Sequence, residues 1–238
     1  MLEVKDPYYS RPEVSNSDLS ELEKYWQPRE LVYDLEQAYR FGSLIDAMIT
    51  ENHNVNYFKF THAGYTFNKD EFAVAEAMKK AFWRDPFCSM LATHSDMQKV
   101  SVKDRFEISY DGLLFYLSVR CKWDLNAMIK LKMTGDIKST TCTTQKQFEE
   151  AIRHFNYDRQ RAWYMDIGGS DNDMLIGLSK VYPYRVFKVP VKRGGDIYNS
   201  GKAKYQDIAF KWWYLFEDLT NHLIQQPFCI NDEQLIIQ

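Results

Sequence analysis

The sequence predicts one α/β domain of the α+β kind, in which a helical N-terminal part (about residues 15–100) leads into a mixed central β-sheet flanked by helices (about residues 104–222). Three observations carry that expectation. Apolar residues recur at helical spacing between Glu30 and Thr50, through Leu31, Leu35, Ala38, Phe41, Ile45 and Ile49. Near residue 104 the pattern changes: Phe106 to Tyr110 alternates, Asp111-Gly112 is the strongest short hairpin signal, and Leu113 to Arg120 is rich in β-formers. A helical stripe of Phe148, Ile152, Phe155, Ala162 and Met165 then separates that hairpin from later strands, as a crossover does.

The elements follow in order. Pro7 to Pro12 reads as extended, and Ser15-Asn16-Ser17-Asp18 offers cap chemistry for a short helix through Leu19, Leu22 and Trp26. Gly42, inside the second helix, predicts close packing of another backbone on that face, because glycine in mid-helix costs about 1 kcal/mol relative to alanine. Residues 55–67 suggest a strand or hairpin. Asn68-Lys69-Asp70-Glu71 fits a capping box for a helix to about Trp83, and after the break at Pro86 another helical segment is expected over 87–98. A third strand is expected from Ala127 to Lys138, a helix over 145–166, strands at Ile176–Leu178 and Tyr184–Val191, and a closing helix capped by Ser200 and running through Lys204 to His222.

Composition narrows the function classes. At 238 residues, with 45% hydrophobic and 26% charged residues, the chain suits one globular domain rather than a coiled coil or disordered polymer. Aromatics at 16% are compatible with base stacking and equally with an aromatic core. A formal charge of −3 excludes coating DNA by overall basicity but leaves room for a local basic groove. Cys88, Cys121, Cys142 and Cys229 form no CxxC pair, so they read as reduced thiols rather than a zinc ribbon or redox motif. No apolar run approaches the ~18 residues of a membrane span, and the polar start Met1 to Asp6 lacks a secretory core, so a soluble cytoplasmic protein without membrane association is expected.

The chemistry concentrates in Cys121-Lys122-Trp123-Asp124 and Gly135-Asp136-Ile137-Lys138-Ser139-Thr140. In a strand, side chains at i and i+2 share a face, so Asp136 and Lys138 project together, and Asp124 can reach the same point across a hairpin. Two carboxylates suit a hard cation, and a neighbouring ammonium can orient water or stabilise charge on phosphate. Alone, the Asp-x-Lys triplet is a weak signal, and an exposed strand end with a surface ion pair explains it as well. Three features add weight. Glu107 stands one hairpin upstream as a further metal ligand, Gln160 and Tyr164 share a helix face at i, i+4, and Asp46 falls four residues after Gly42.

Taken in order, Phe41 to Asp46, Cys121 to Asp124, Asp136 to Thr140 and Tyr157 to Tyr164 resemble the RecB-like branch of the PD-(D/E)XK nuclease superfamily, with the restriction-endonuclease-like core. The likeness is strongest to phage and prophage exonucleases of the exodeoxyribonuclease VIII type and covers about residues 15–215. The resemblance implies that Asp124 and Asp136 are metal ligands, that the Ile137 carbonyl also reaches the metal, that Lys138 is the catalytic lysine, and that Gln160 and Tyr164 position DNA. It further implies two Mg²⁺ or Mn²⁺ ions, digestion of one strand of duplex DNA in the 5′-to-3′ direction, a homo-oligomer, and a single-strand annealing protein as partner. Asp46 stands where the family usually has histidine, a change that fits either an altered metal preference or a lost activity.

Two other readings stand beside this one. Four-cysteine CRISPR-associated nucleases cluster their cysteines around an iron–sulfur centre, which the scattered cysteines here oppose. A degenerate nuclease fold acting as a DNA-binding or assembly subunit is the non-enzymatic alternative. The five histidines show no paired spacing and read as structural, and Gly168-Gly169-Ser170 reads as a helix-ending turn. The stretch from Lys180 to Lys204, with Arg185, Lys188, Lys192, Arg193, Lys202, Tyr182, Tyr184 and Tyr198, fits a DNA-tracking surface and a solvated strand face equally.

Overall fold

The chain begins with a 3₁₀ turn at Pro7–Ser10, two helices, α1 (Asn16–Trp26) and α2 (Leu35–Thr50), and a small antiparallel sheet of β1 (Val55–Asn56), β2 (Thr61–His62) and β3 (Tyr65–Thr66). The structure is a computed structural model and describes residues 7–26 and 35–218; the expected positions of Leu31, His222 and Cys229 lie outside them. Helices α3 (Lys69–Arg84) and α4 (Pro86–Thr93) follow. Asn68 closes the expected capping box: its side chain accepts from the Glu71 amide at 2.8 Å, and the Glu71 carboxylate accepts from the Asn68 amide at 3.0 Å. Asp85 caps α4 on the amides of Phe87 and Cys88, with Pro86 at the first helical position, where its missing N–H costs nothing.

The main sheet is built from β4 (Asp96–Tyr110), β5 (Leu113–Asn126), β6 (Thr134–Thr140), β7 (Asn172–Ser179) and β8 (Val186–Lys192), in that spatial order. All neighbours are antiparallel except β6 and β7, which run parallel and are joined by the crossover helices α6 (Gln145–His154) and α7 (Tyr157–Gly168). A short helix α5 (Met128–Leu131) links β5 to β6, and α8 (Asp196–Trp213) follows β8, ending in a π turn at Tyr214–Asp218. Two apolar layers cover the sheet. On one, α1, α6, α7 and α8 bury Leu19, Phe148, Trp163 and Ile208 against Phe115, Trp123 and Leu175. On the other, α2, α3 and α4 bury Leu44, Met78 and Leu91 against Ile137, Ile176 and Leu178. Leu175 and Ile176 enter opposite layers, as strand alternation requires.

Several local expectations are corrected. The 87–98 segment is helical only to Thr93, because residues from Asp96 on extend the ladder with β5, whose register runs from Asp96↔Asn126 to Tyr110↔Leu113. The strand expected at 127–138 starts at Thr134, after α5 and a left-handed Lys132 (φ 55°). The helix expected over 145–166 breaks at Asn156 (φ 56°), a residue type that tolerates the left-handed region. Gly195, not Ser200, caps α8; the Ser200 hydroxyl instead donates to Asp158 at 2.8 Å. A Cβ on Gly42 would sit 3.7 Å from Ser139 Oγ, ordinary contact rather than the tight approach expected. Among the described residues no helix is long and apolar enough to cross a membrane.

Candidate active site

The functional residues gather where the sheet splits. β6 pairs with β5 at only two positions, Leu125↔Gly135 and Asn126↔Thr134, and then follows β7 alone. Farther along, the same edge of β5 is taken by the N-terminal segment: the Val14 amide donates to Ser118 O at 2.8 Å, and the Arg120 amide to Val14 O at 2.9 Å. Continuing the β5–β6 register sets Asp124 opposite Asp136 and Lys122 opposite Lys138 across the gap. Opening a sheet strands backbone groups that would otherwise pair. Asp124 answers part of that cost, its Oδ2 accepting from the Ile137 amide at 2.8 Å.

Asp46, Asp124, Asp136 and Lys138 meet at this gap. Lys138 Nζ lies 2.7 Å from Asp136 Oδ2 and over the Tyr157 ring. Asp136 Oδ2 is buried, and the Lys138 ammonium is the charge beside it. Burial pushes the Asp124 carboxyl well above the ordinary range, with the charges of Asp46 and Asp136 adding to it. Asp46, on α2, is pushed up to about 6 by burial and then by Asp136, against the pull of Lys138 and Gln98. Burial lowers the Lys138 ammonium, but Asp136 and Asp124 outweigh it and hold it above its usual value. Asp46 and Asp124 keep some surface open to solvent even though protein atoms crowd both carboxyls.

Behind the gap lies a buried ion network that the sequence reading missed. Arg161 of α7 is fully buried and donates through Nε (3.1 Å) and Nη2 (2.7 Å) to the two oxygens of Asp173 on β7. Its Nη1 donates to Asp136 Oδ1 at 2.7 Å. Thr134 also donates to Asp173, and the guanidinium lies over the Trp123 and Tyr164 rings. Burial opposes the charge on Arg161, but Asp173 and Asp136 overcome it and hold its pKa raised. The clue was a charged residue inside the Gln160–Tyr164 window; nothing local pointed to Asp173.

The other expected residues divide. Tyr164 is buried against Trp123 with ring centroids 5.3 Å apart, so it packs behind the gap, with Gln160 one helical turn before it. Asp46 reaches the site; Gln98 Nε2 donates to its Oδ2 and to Thr50 Oγ1, each at 2.9 Å. Glu107 does not reach it. It is exposed, pairs with Tyr116 and accepts from that hydroxyl, eight residues from Asp124 along β5, about 26 Å at the usual strand rise. The neighbouring strand supplies Gln98 instead, at a left-handed position (φ 53°) that sequence pattern does not reveal. Part of the basic stretch is held in ion pairs. Lys188 pairs with Asp85, Arg193 with Asp166 and Asp171, and Lys204 with Asp158, whereas Tyr182 is 82% exposed.

The residues fit a hard divalent cation in kind: carboxylate oxygens of Asp46, Asp124 and Asp136, with burial and then mutual repulsion raising Asp46 and Asp124. Among the described residues no three carboxylate, histidine or cysteine side chains stand close enough to hold an ion together.

No family model and no curated protein matches the chain. Solved structures do. A protein described as "Putative exonuclease" from Eubacterium rectale is 14% identical, with a TM-score of 0.55 over 93% of this chain and 81% of its own. A phage related exonuclease from Haemophilus somnus is 13% identical over 86% of this chain and 95% of its own, but its TM-score of 0.38 carries no weight. At such identity the first likeness speaks to fold alone. The five-stranded mixed sheet between helical layers, with its parallel β6–β7 pair, is the fold this chain shares with that structure.

Proposed function

We propose that the protein is a divalent-metal-dependent DNA nuclease that removes nucleotides from one strand of duplex DNA. The observation that carries the reading is the gathering of Asp124, Asp136, Lys138 and Asp46 at one split in the sheet. The exonuclease description of the structural neighbour supports it. Asp124 and Asp136, with the Ile137 carbonyl, would hold Mg²⁺ or Mn²⁺, and Asp46 would serve a second ion; metal held there would supply Lewis acidity for the scissile phosphate and lower the pKa of a bound water. Lys138 steadies the attacking oxygen and the charge growing on phosphate. Gln160 and Tyr164 order the helix behind the site. Digestion from the 5′ end, a homo-oligomeric assembly and a single-strand annealing partner belong to the same proposal.

The test is linear duplex DNA labelled at either end, incubated with Mg²⁺, Mn²⁺ or a chelator, beside a closed circular duplex. Loss of the linear substrate only with metal, with the circle spared, is expected. Purified protein that leaves both intact at every metal concentration would defeat the proposal. A second reading, a DNA-binding subunit on a degenerate site, is favoured by one observation: Arg161 and Lys138 already engage both oxygens of Asp136. It predicts DNA binding unaffected by chelator and no Mn²⁺ uptake.

A further inference from the structure

Resting on the nuclease reading, we infer that Arg161 is a positioning residue, fixing Asp136 as a one-oxygen ligand. Asp136 has two oxygens with several acceptor positions and, left to itself, swings about its side-chain bonds. Arg161 removes that freedom. Its planar fork is held at two points by Asp173, leaving Nη1 to take Oδ1 of Asp136 at 2.7 Å. The carboxylate plane is thereby set, and Oδ2 is the buried oxygen left facing Lys138 Nζ at 2.7 Å.

The arrangement also ties two elements together. Arg161 sits between Gln160 and Tyr164 in chain order, so the same guanidinium clamps that helix onto β6 and β7. A structural salt bridge needs only Arg161 and Asp173, which already match in charge and geometry. Extending the fork to Asp136 adds a second carboxylate to a fully buried site, an addition that stability alone does not call for. Lysine cannot replace this function, because a single ammonium cannot hold two oxygens of one carboxylate in a plane and orient another.

The experiment measures Mn²⁺ binding by electron paramagnetic resonance, together with kcat and KM on duplex DNA, for wild type, Arg161→Lys and Asp173→Asn. Arg161→Lys is expected to weaken Mn²⁺ binding and lower kcat by about tenfold or more each, with KM for DNA nearly unchanged. Asp173→Asn keeps the Arg161–Asp136 contact; it is expected to lose stability but hold Mn²⁺ within about threefold of wild type. Should Arg161→Lys fold poorly, the double change Arg161→Met with Asp173→Leu removes the buried pair together and is expected to show the same loss of Mn²⁺ binding. Wild-type Mn²⁺ binding in folded Arg161→Lys or in the double variant overturns the inference. So does an equal loss in Asp173→Asn, which would mark the network as structural only. Wild-type protein that neither binds Mn²⁺ nor degrades DNA defeats the nuclease reading itself, an outcome seen without any variant.

Discussion

The β4–β5 arm and the β5–β6 junction share one strand, yet they are specified in different ways. The arm is held by neighbours in sequence: Asp111 (φ 47°) and Gly112 (φ 80°) form the turn, and twelve paired positions follow from it. At the junction only two pairs form before the strands part. What holds the opening in shape comes from far along the chain: Arg161 on α7, Asp173 on β7, Asp46 on α2 and the N-terminal segment at Val14. Regular pairing satisfies backbone groups and leaves side chains little to do. Where pairing stops, polar side chains must take over, and that is where chemistry has room.

Breaking the junction should therefore abolish activity in ways that breaking the arm cannot. Lys138→Ala is expected to remain folded and to lose about 10²- to 10⁴-fold in the rate of metal-dependent DNA degradation. Asp136→Ala loses activity too, but it also leaves Arg161 short of a buried partner, so a stability loss of about 3 kcal/mol accompanies it, read from the denaturant midpoint. The conservative Asp136→Asn separates the two effects. Near-wild-type digestion by folded Lys138→Ala would remove the lysine from the chemistry.

The same contrast explains what sequence could tell. The arm, the cap at Asn68, the break at Pro86 and the apolar faces of α2 and α6 are local signals, and they appear where expected. The core triplet Asp124, Asp136 and Lys138 was legible because strand alternation puts i and i+2 on one face. Glu107 misled because adjacency of strands was read without register; a long arm carries it far from the gap. Gln98 and Asp173 were invisible because their roles depend on a left-handed residue and a parallel strand brought in by a crossover.

Tyr164 sharpens the comparison. The i, i+4 spacing with Gln160 suggested a DNA-facing pair, but the ring is 7% exposed and packs on Trp123. Tyr164→Ala is therefore expected to cost about 3 kcal/mol through the cavity it leaves, measured by thermal or denaturant unfolding. Tyr164→Phe keeps the packing and removes only the hydroxyl. If Tyr164→Ala proves as stable as wild type while digestion fails, the side chain acts on DNA and not on the core.

Asp46 should have a smaller effect, since Asp124 and Asp136 remain. Its place beside them, held by Gln98, suits hard cations. Asp46→His is expected to stay folded and active, with the Mn²⁺-to-Mg²⁺ rate ratio raised about threefold or more, because imidazole nitrogen favours the softer ion. Rates in each metal for wild type, Asp46→Ala and Asp46→His decide the point. Equal ratios in all three would take Asp46 out of the metal site.

The smallest effect belongs to the arm. Gly112 lies at φ 80°, where an added Cβ meets no atom within 4 Å, so Gly112→Ala is penalised only by backbone strain. That strain amounts to about 1 kcal/mol, visible as a modest fall in the unfolding midpoint. The turn lies at the far end of β5 from Asp124, and the ladder between them is continuous apart from a shift at Lys103/Phe106. Digestion rates at a temperature where the variant is folded should match wild type. A variant that keeps its midpoint but digests DNA several-fold more slowly would show that the arm touches substrate or a partner copy, and the division between a locally coded scaffold and a remotely assembled site would fail.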